Sequence, residues 1–277
     1  MTVRSRFARP ILALCAAIGA ALLVSPSADS GEARAARPIR ALLVTGGGYH
    51  DYSHQKKALT EGVSARANVE WTVVHDTDTN NGHKIPLFEN PNWAEGYDVV
   101  VHNECYADVT DLAYIGKITA AHKNGTPAVV VHCAMHTFRS LKTDEWRELL
   151  GVSTFRHGKQ HPLEVKNMQP ADPIMKGFPA TWTTGNEELY WVEKVWPGTT
   201  VLAEAKAEEN KKDNAVVWSH TYGKGRVFGT TLVHNNKTMA DSVYLDLFTR
   251  GLLWSCDKLG EDGKPRSGFE PSAGKTE

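Results

Sequence analysis

The chain carries almost no net charge and lacks the glycine motifs that bind nucleotides. Its 277 residues hold 31 Lys and Arg against 32 Asp and Glu, a formal net charge of -1. Without a long basic run, the composition gives no electrostatic reason to expect a nucleic-acid partner. The glycines at 46–48 lack the G-x-G-x-x-G spacing of dinucleotide-binding turns, and no Gly-Lys-Ser/Thr marks a phosphate loop. Nucleic-acid and nucleotide sites are therefore not expected.

The first 36 residues are predicted to be a secretory signal peptide and linker. Arg4, Arg6 and Arg9 form a basic start, and 11–24 is an apolar stretch of small residues. Small-residue cleavage sites follow, and the apolar stretch is too short for a comfortable membrane span. We therefore expect a periplasmic or secreted protein that has no membrane contact after cleavage.

Cysteine is scarce, and in an exported protein the few cysteines could form disulfides. Of the four cysteines, Cys15 lies in the predicted leader, which leaves Cys105, Cys133 and Cys256 in the mature chain. An odd number leaves at least one thiol free. Cys105 and Cys133 both follow predicted strands, so they could be neighbours. The sequence leaves open whether they are bonded.

Strands and helices alternate along the first half of the mature chain. Apolar runs predict four strands, and amphipathic stretches between them predict helices at 54–66, capped by Ser53, and at 110–123. The strands are expected at 39–45, 69–76, 97–103 and 128–131. This rhythm favours right-handed parallel crossovers. We expect a three-layer, doubly wound α/β fold with a mostly parallel sheet over 37–259.

The second half is predicted to be less regular. Residues 151–184 read as mostly irregular, with a strand at 162–165, and 185–191 read as a loop. Alternating apolar residues predict a hairpin over 215–232 and a closing helix over 239–259. The tail at 260–277 is rich in Gly, Lys and Glu and is expected to be disordered.

Chemically active side chains follow the ends of the predicted strands. The strand at 128–131 leads into His132, Cys133 and His136, with Arg139 beyond. Ligands of open α/β sheets bind beyond the carboxyl ends of the strands, so this stretch is the expected floor of a site. The alternative is a purely structural role, in which the cysteine is buried and the histidines on either side form hydrogen bonds to the backbone.

Other strand ends strengthen the functional interpretation. His50 follows the first strand, Glu104 ends the third, and His234 follows the hairpin. His234 joins the others only if the last arm of the hairpin runs parallel to them. Imidazole, carboxylate and thiolate serve both as zinc ligands and as acid–base groups. We therefore predict one site at this edge of the sheet.

Four segments resemble motifs of one known family. They lie at 44–51, 131–134, 187–190 and 217–234, and the Tyr-Gly-Lys-Gly-Arg-Val-Phe run at 222–228 with its sequel to His234 is the most specific. They resemble the ThuA-like (trehalose-utilisation) family, which implies a flavodoxin-like, class I glutamine amidotransferase-like fold. The resemblance spans roughly 39–256 and implies sugar metabolism, including routes through 3-keto disaccharides.

Amidotransferase relatives would make Cys133 a nucleophile, but its neighbours argue against this role. A nucleophile elbow needs small residues two places before and after the nucleophile. Those places hold Val131 and Met135. Amidotransferase activity is therefore not expected.

The leading hypothesis is a carbohydrate-processing enzyme that acts on keto-sugars or glycosides by His/Glu acid–base or metal-assisted chemistry. The predicted catalytic residues are His50, Glu104, His136, His234 and Glu188. The predicted substrate-binding residues are His132, Cys133, Arg139, Tyr190 and Trp191. A divalent metal such as zinc would be held by His50, Glu104 and His136. His157 is left unassigned, and the expected partner is a small-molecule carbohydrate.

Two alternatives remain open. One is a non-catalytic sugar-binding module in which Trp93, Trp182 or Trp191 stacks on sugar rings. The other is a metal-dependent hydrolase of a different ester or amide.

Overall fold

A computed structural model describes residues 37–272, so the predicted signal peptide and linker at 1–36 lie outside the described residues. This part of the chain forms nine strands and five α-helices. The strands are β1 (Ile39–Gly47), β2 (Val69–Asp76), β3 (Val99–Cys105), β4 (Ala128–Val131), β5 (Val152–Asn167), β6 (Thr181–Val195), β7 (Thr200–Lys206), β8 (Asp213–Tyr222) and β9 (Gly225–Thr230). The helices are α1 (Tyr52–Ser64), α2 (Leu112–Lys123), α3 (Glu145–Leu150), α4 (Asn236–Met239) and α5 (Ser242–Ser255).

All nine strands belong to one sheet in the order β2-β1-β3-β4-β9-β8-β7-β5-β6. The strands from β2 to β9 in this order are parallel, and every later pairing is antiparallel. The α/β class is confirmed, but the prediction of a mostly parallel sheet is wrong. Parallel neighbours need a long crossover connection, whereas β8 and β9 are separated only by Gly223 and Lys224.

Helices cover both faces of the parallel half. Side chains alternate between the two faces of a strand, so Val130 and Val131 of β4 enter different apolar clusters. The cluster with Val131 includes α1 and α5, and the cluster with Val130 includes α2 and α3. No helix within residues 37–272 is both long and apolar enough to cross a membrane.

Helix α1 begins one residue after an aspartate that also contacts the site loop. Asp51, rather than the predicted Ser53, accepts a hydrogen bond from the His54 backbone N–H at 3.0 Å. Its other carboxylate oxygen accepts from Asn236 Nδ2 at 3.0 Å. Such a cap stabilises a helix by about 1 kcal/mol, and here it also links the ends of β1 and β9.

The region beyond residue 150 is more regular than predicted. Residues 152–167 of the stretch predicted as mostly irregular form β5, and the predicted loop at 185–191 lies inside β6. Residues 260–272 are held against the fold rather than disordered, since the Asn68 N–H donates to the Phe269 carbonyl at 2.9 Å. Phe269 also packs against the apolar cluster of α1 and α5. Residues 273–277 of the predicted tail lie outside the described part.

Candidate active site

Three imidazoles meet at the carboxyl edge of the parallel strands. His50 follows β1, His132 follows β4 and His234 follows β9, and one ring nitrogen of each lies within 4.8 Å of the others. We call these three residues the histidine cluster. The sequence placed His234 with the other residues only if the last arm of the hairpin runs parallel to their strands. This holds, because β9 pairs with β4 in parallel. The fold therefore brings together three strand ends that are far apart in sequence.

Unusual backbone conformations place two of these histidines. His132 has φ +43°, and Val233, directly before His234, has φ +79°. Non-glycine residues in this left-handed region cost about 1–3 kcal/mol each and cluster at functional sites. Before His50, Gly47 has φ +116°, and a Cβ there would overlap the Cys105 carbonyl. A glycine is therefore required where β1 turns toward the cluster.

A backbone hydrogen bond determines the tautomer of His132. Its Nδ1 lies 2.6 Å from the Thr231 carbonyl oxygen. Because a carbonyl can only accept, Nδ1 carries the proton, and the neutral ring presents the lone pair of Nε2. The Tyr190 hydroxyl lies 3.4 Å from this Nε2. His132 is thus oriented as an acceptor or a metal ligand toward the pocket.

Burial and neighbouring charge give His50 and His234 different tendencies to bind a proton. Burial, reinforced by His132 and His234, lowers the pKa of His50 to about 3. The Glu188 carboxylate, whose Oε2 lies 3.3 Å from His234 Nδ1, raises the pKa of His234. At neutral pH His50 is therefore a neutral imidazole, while His234 is the cluster member that holds a proton more readily.

Glu188 is the carboxylate of the site. Its Oε2 lies 3.7 Å from His132 Nε2 and 3.6 Å from His157 Nε2. Burial opposes its ionisation, but the neighbouring imidazoles of His132 and His234 outweigh burial and hold its pKa well below the usual value. Glu188 is therefore ionised at neutral pH and faces the imidazoles as an anion.

The preceding glutamate supports the loop that carries His234. Glu187 is fully buried, and its carboxylate accepts from the His234 backbone N–H at 2.6 Å and from Asn235 Nδ2 at 3.0 Å. Asn235 Nδ2 also donates to the Asn186 carbonyl. Adjacent residues of β6 thus divide two tasks, since Glu188 faces the pocket and Glu187 anchors the loop.

Three stacked rings line the pocket beside the cluster. The rings of His136 and Tyr190 lie 4.0 Å apart and 2° from parallel. His157 stacks on Tyr190 at 5.6 Å. Burial, followed by the charge of Arg139, holds the pKa of His136 well below its usual value. His136 therefore contributes a neutral ring surface to this pocket.

The two cysteines whose pairing the sequence left open form a disulfide. Cys105 and Cys133 are joined across the ends of β3 and β4, with their Cα atoms 5.4 Å apart, and both line the pocket. In this state Cys133 presents no thiolate for nucleophilic attack. Cys256 is the free cysteine within residues 37–272.

Glu104, predicted as a catalytic and metal-binding residue, lies on the other side of the sheet. Its Oε1 is 2.7 Å from His102 Nδ1, and His102 Nε2 is 3.0 Å from His122 Nε2. All three side chains are buried. Since side chains alternate along β3, Cys105 faces the pocket and Glu104 faces away. The predicted metal set is therefore not the one the fold assembles, because His132 and His234 join His50 instead of Glu104 and His136.

The predicted substrate-binding residues are divided between the pocket and the core. Arg139 and Tyr190 line the pocket, whereas Trp191 packs against the apolar cluster of α1 and α5. Trp182 packs against the same cluster. Trp93 is only 3% exposed and donates its indole N–H to the Lys117 carbonyl, so it cannot stack on a sugar.

Two residues near the histidine cluster were not predicted from the sequence. His157 lines the pocket, and Gln160 Nε2 lies 2.9 Å from His234 Nε2. His157 pairs with Tyr190 across β5 and β6, in a ladder interrupted by register shifts on both sides of His157. A regular alternation of apolar and polar residues would have indicated this pairing in the sequence, but β-bulges at the register shifts interrupt the alternation.

The donor set of the histidine cluster fits a divalent metal. His50 is neutral, the proton of His132 is on Nδ1, which faces the Thr231 carbonyl, and His234 Nδ1 lies 3.3 Å from Glu188 Oε2. Three imidazoles are one of the ligand sets of catalytic zinc sites, in which each binds the metal through one ring nitrogen and can hydrogen-bond to a neighbouring protein group through the other. The pocket itself is small, about 100 Å³.

Comparison with known proteins agrees with the fold. A ThuA-like protein from Parabacteroides merdae is 19% identical, with a TM-score of 0.62 over 84% of this chain and 97% of that chain. A ThuA-like protein from Bacteroides uniformis is 15% identical, with a TM-score of 0.63 over 82% and 95%. A β-galactosidase from Rahnella sp. R3 is 14% identical, with a TM-score of 0.54 over 83% of this chain and 32% of that chain. At these identities the likeness concerns the fold alone.

The family model gives a more specific result. No curated protein matches the sequence. The model of the ThuA family, described as trehalose utilisation, matches residues 40–255 and so covers most of the chain. The resemblance seen in the sequence motifs is confirmed: the chain belongs to the ThuA family.

Proposed function

We propose that this protein is an enzyme that cleaves a 3-keto glycoside by proton transfer beside the histidine cluster. The observation that carries the proposal is the convergence of three imidazoles with the Glu188 carboxylate in one pocket. Such a set can both remove a proton and stabilise developing negative charge. The family's description as trehalose utilisation supports a sugar substrate.

The proposed reaction is an elimination. A ketone at C3 acidifies the proton on C2, and a base removes that proton. The electron pair forms a C1–C2 double bond while the C1–O bond breaks, and the departing oxygen takes up a proton. The products are an unsaturated keto-sugar and a free alcohol, and water added across the double bond completes a net hydrolysis. No oxidant or reductant is consumed.

Glu188 is the proposed base. Its carboxylate is ionised at neutral pH and is held in place by His132 and His234. Carboxylates act as bases toward protons beside a carbonyl in other enzymes. His157 Nε2 lies 3.6 Å from Glu188 Oε2, and its side chain is 36% exposed. His157 therefore returns the proton to the departing oxygen in this scheme.

His50, His132 and His234 would hold the metal. A divalent ion such as zinc, when bound there, would act as a Lewis acid that polarises a substrate carbonyl. The protein's own contribution is to keep His50 neutral and to keep the proton of His132 on Nδ1. Tyr190 limits the space beside His132 and so orients what enters the pocket.

Export is part of the proposal. The predicted leader and the Cys105–Cys133 disulfide support it, since disulfides persist in oxidising compartments. Mass spectrometry of the protein secreted by its host would test it. A mature chain that begins near residue 37 and retains the bond is expected.

The activity is tested by incubating the purified protein with 3-keto-trehalose and with trehalose, with and without added Zn²⁺ or Mn²⁺. Release of glucose from the keto compound alone is expected. Absence of release under every condition would refute the proposed function, and binding without turnover would favour a sugar-binding module.

The metal assignment has its own readout. Metal content per chain is measured for the wild type, for His50→Ala and for His136→Gln after exposure to Zn²⁺ and desalting. We expect the metal to be lost in His50→Ala and retained in His136→Gln, because His136 lies in the pocket but outside the cluster. Equal retention in both variants would contradict the assignment.

A further inference from the structure

A wide groove opens beside the small pocket and shares a wall with it. The groove has a volume of about 630 Å³, against about 100 Å³ for the pocket. Arg139 lines both. Ligand sites for drug-sized molecules usually span about 300–1,000 Å³. The pocket is thus large enough for a reacting group, while the groove has room for a second unit.

The same two strands line both spaces. In β5, His157 lines the pocket, and Phe155 and Arg156, which precede it, line the groove. In β6, Tyr190 lines the pocket and Glu193 lines the groove. A ligand anchored at the histidine cluster can therefore continue past His157 along the β5–β6 hairpin.

The groove combines an exposed aromatic ring with polar side chains. Phe155 is 37% exposed, and the guanidinium of buried Arg147 lies 5.0 Å from its ring centre. This cation–π contact holds the ring in place. An aromatic surface of this kind stacks on the apolar face of a sugar ring.

The groove carries charges of both signs, because it is lined by Arg139, Lys142 and Arg156 together with Asp144 and Glu193. Arg156 lies 3.8 Å from Glu193, and Asp144 lies 3.7 Å from Lys194. Paired cations and carboxylates offer hydrogen-bond donors and acceptors together, which suits hydroxyl groups.

We propose that this groove binds the leaving sugar ring of a disaccharide-length substrate whose other ring reacts at the histidine cluster. The inference rests on the proposed function for the direction of the substrate. It assigns specificity for the leaving group to Phe155 and Arg156, which lie outside the reacting centre. His157, between the two spaces, is then placed beside the glycosidic oxygen.

The test compares kcat/KM for 3-keto-trehalose and for methyl 3-keto-α-glucoside, which has no second ring. The wild type is expected to prefer 3-keto-trehalose by about ten-fold or more. Phe155→Ala and, independently, Arg156→Ala are each expected to reduce this preference by about five-fold, the size of one aromatic or ion-pair contact. Leu112→Ala is the matched control, because Leu112 is an exposed apolar residue that lines neither space.

Calorimetry with trehalose separates this inference from the proposed chemistry. If neither keto glycoside is cleaved but trehalose binds and Phe155→Ala weakens that binding, the chemistry fails and the groove assignment stands. If both keto glycosides are cleaved with equal kcat/KM, the chemistry stands and the groove assignment is overturned. Absence of both turnover and trehalose binding overturns both proposals.

Discussion

Removing the Cys105–Cys133 disulfide should destabilise the protein substantially. The bond closes a loop with a sequence separation of 28 residues. The chain-entropy relation for a loop of this length gives about 3.5 kcal/mol at 25 °C. For a domain of this size, each kcal/mol shifts the melting temperature by about 2–4 °C, so a decrease of about 7–14 °C is expected. The bond therefore matters for stability as well as for the shape of the pocket.

The assay is guanidinium unfolding of the oxidised wild type and of the Cys105→Ala/Cys133→Ala double variant, each with and without dithiothreitol. The reductant should lower the stability of the wild type toward that of the double variant and leave the double variant unchanged. Cys256→Ala, which removes the free thiol, is the matched control. A wild type that is less than about 1 kcal/mol more stable than the double variant would refute the loop-closure reasoning.

Three further predictions concern single side chains. Glu188→Gln should lower kcat for 3-keto-trehalose by about 10²–10⁴-fold, the usual contribution of a general base, with a smaller change in KM; an unchanged kcat would remove Glu188 as the base. Burial disfavours the Asp98 anion, but hydrogen bonds from Arg37 and from the Arg40 N–H outweigh burial and lower its pKa from 3.8 to about 2. Its stabilisation is therefore present above about pH 4 and lost as the pH falls toward 2, so Asp98→Asn should cost about 1 kcal/mol at pH 7 and flatten this acid limb in pH-dependent unfolding. A Cβ at Gly229 would overlap the ring of Trp218, so Gly229→Ala should lower the free energy of unfolding by about 1–3 kcal/mol, and an unchanged denaturation midpoint would show that the ring can move.

The parallel half of the sheet was predictable because its strands are buried on both faces. Continuous apolar runs such as Val129 to Val131 identify such strands without reference to their partners. The rule that parallel strands end at one edge then brought His50 and His234 to the same place. The local turn at His132 was beyond prediction, since its left-handed conformation decides that His132, rather than His136, enters the cluster.

The antiparallel half could not be predicted as well, because its strands carry exposed and polar side chains. Residues 155–162 of β5 are exposed or half-buried, and the ladder to β6 has several register shifts. Irregular alternation of this kind resembles a loop in sequence. Tertiary pairing with β6 makes it a strand, and that pairing brings His157 beside Tyr190. The predicted role of Glu104 was wrong for a different reason. Glu104 does lie on a buried strand, as predicted, but the alternation of side chains along β3 points it away from the pocket.

The candidate site combines residues from both halves of the sheet. The parallel half contributes the histidine cluster, while β6 contributes Glu188 to the pocket and Glu187 to the support of His234. Because side chains alternate along a strand, a shift of β6 by one residue would exchange these two carboxylates. Glu187 would then face the imidazoles, and the loop carrying His234 would lose its two hydrogen bonds. The chemistry proposed for this protein therefore depends on the register of the β5–β6 hairpin as much as on the histidines themselves.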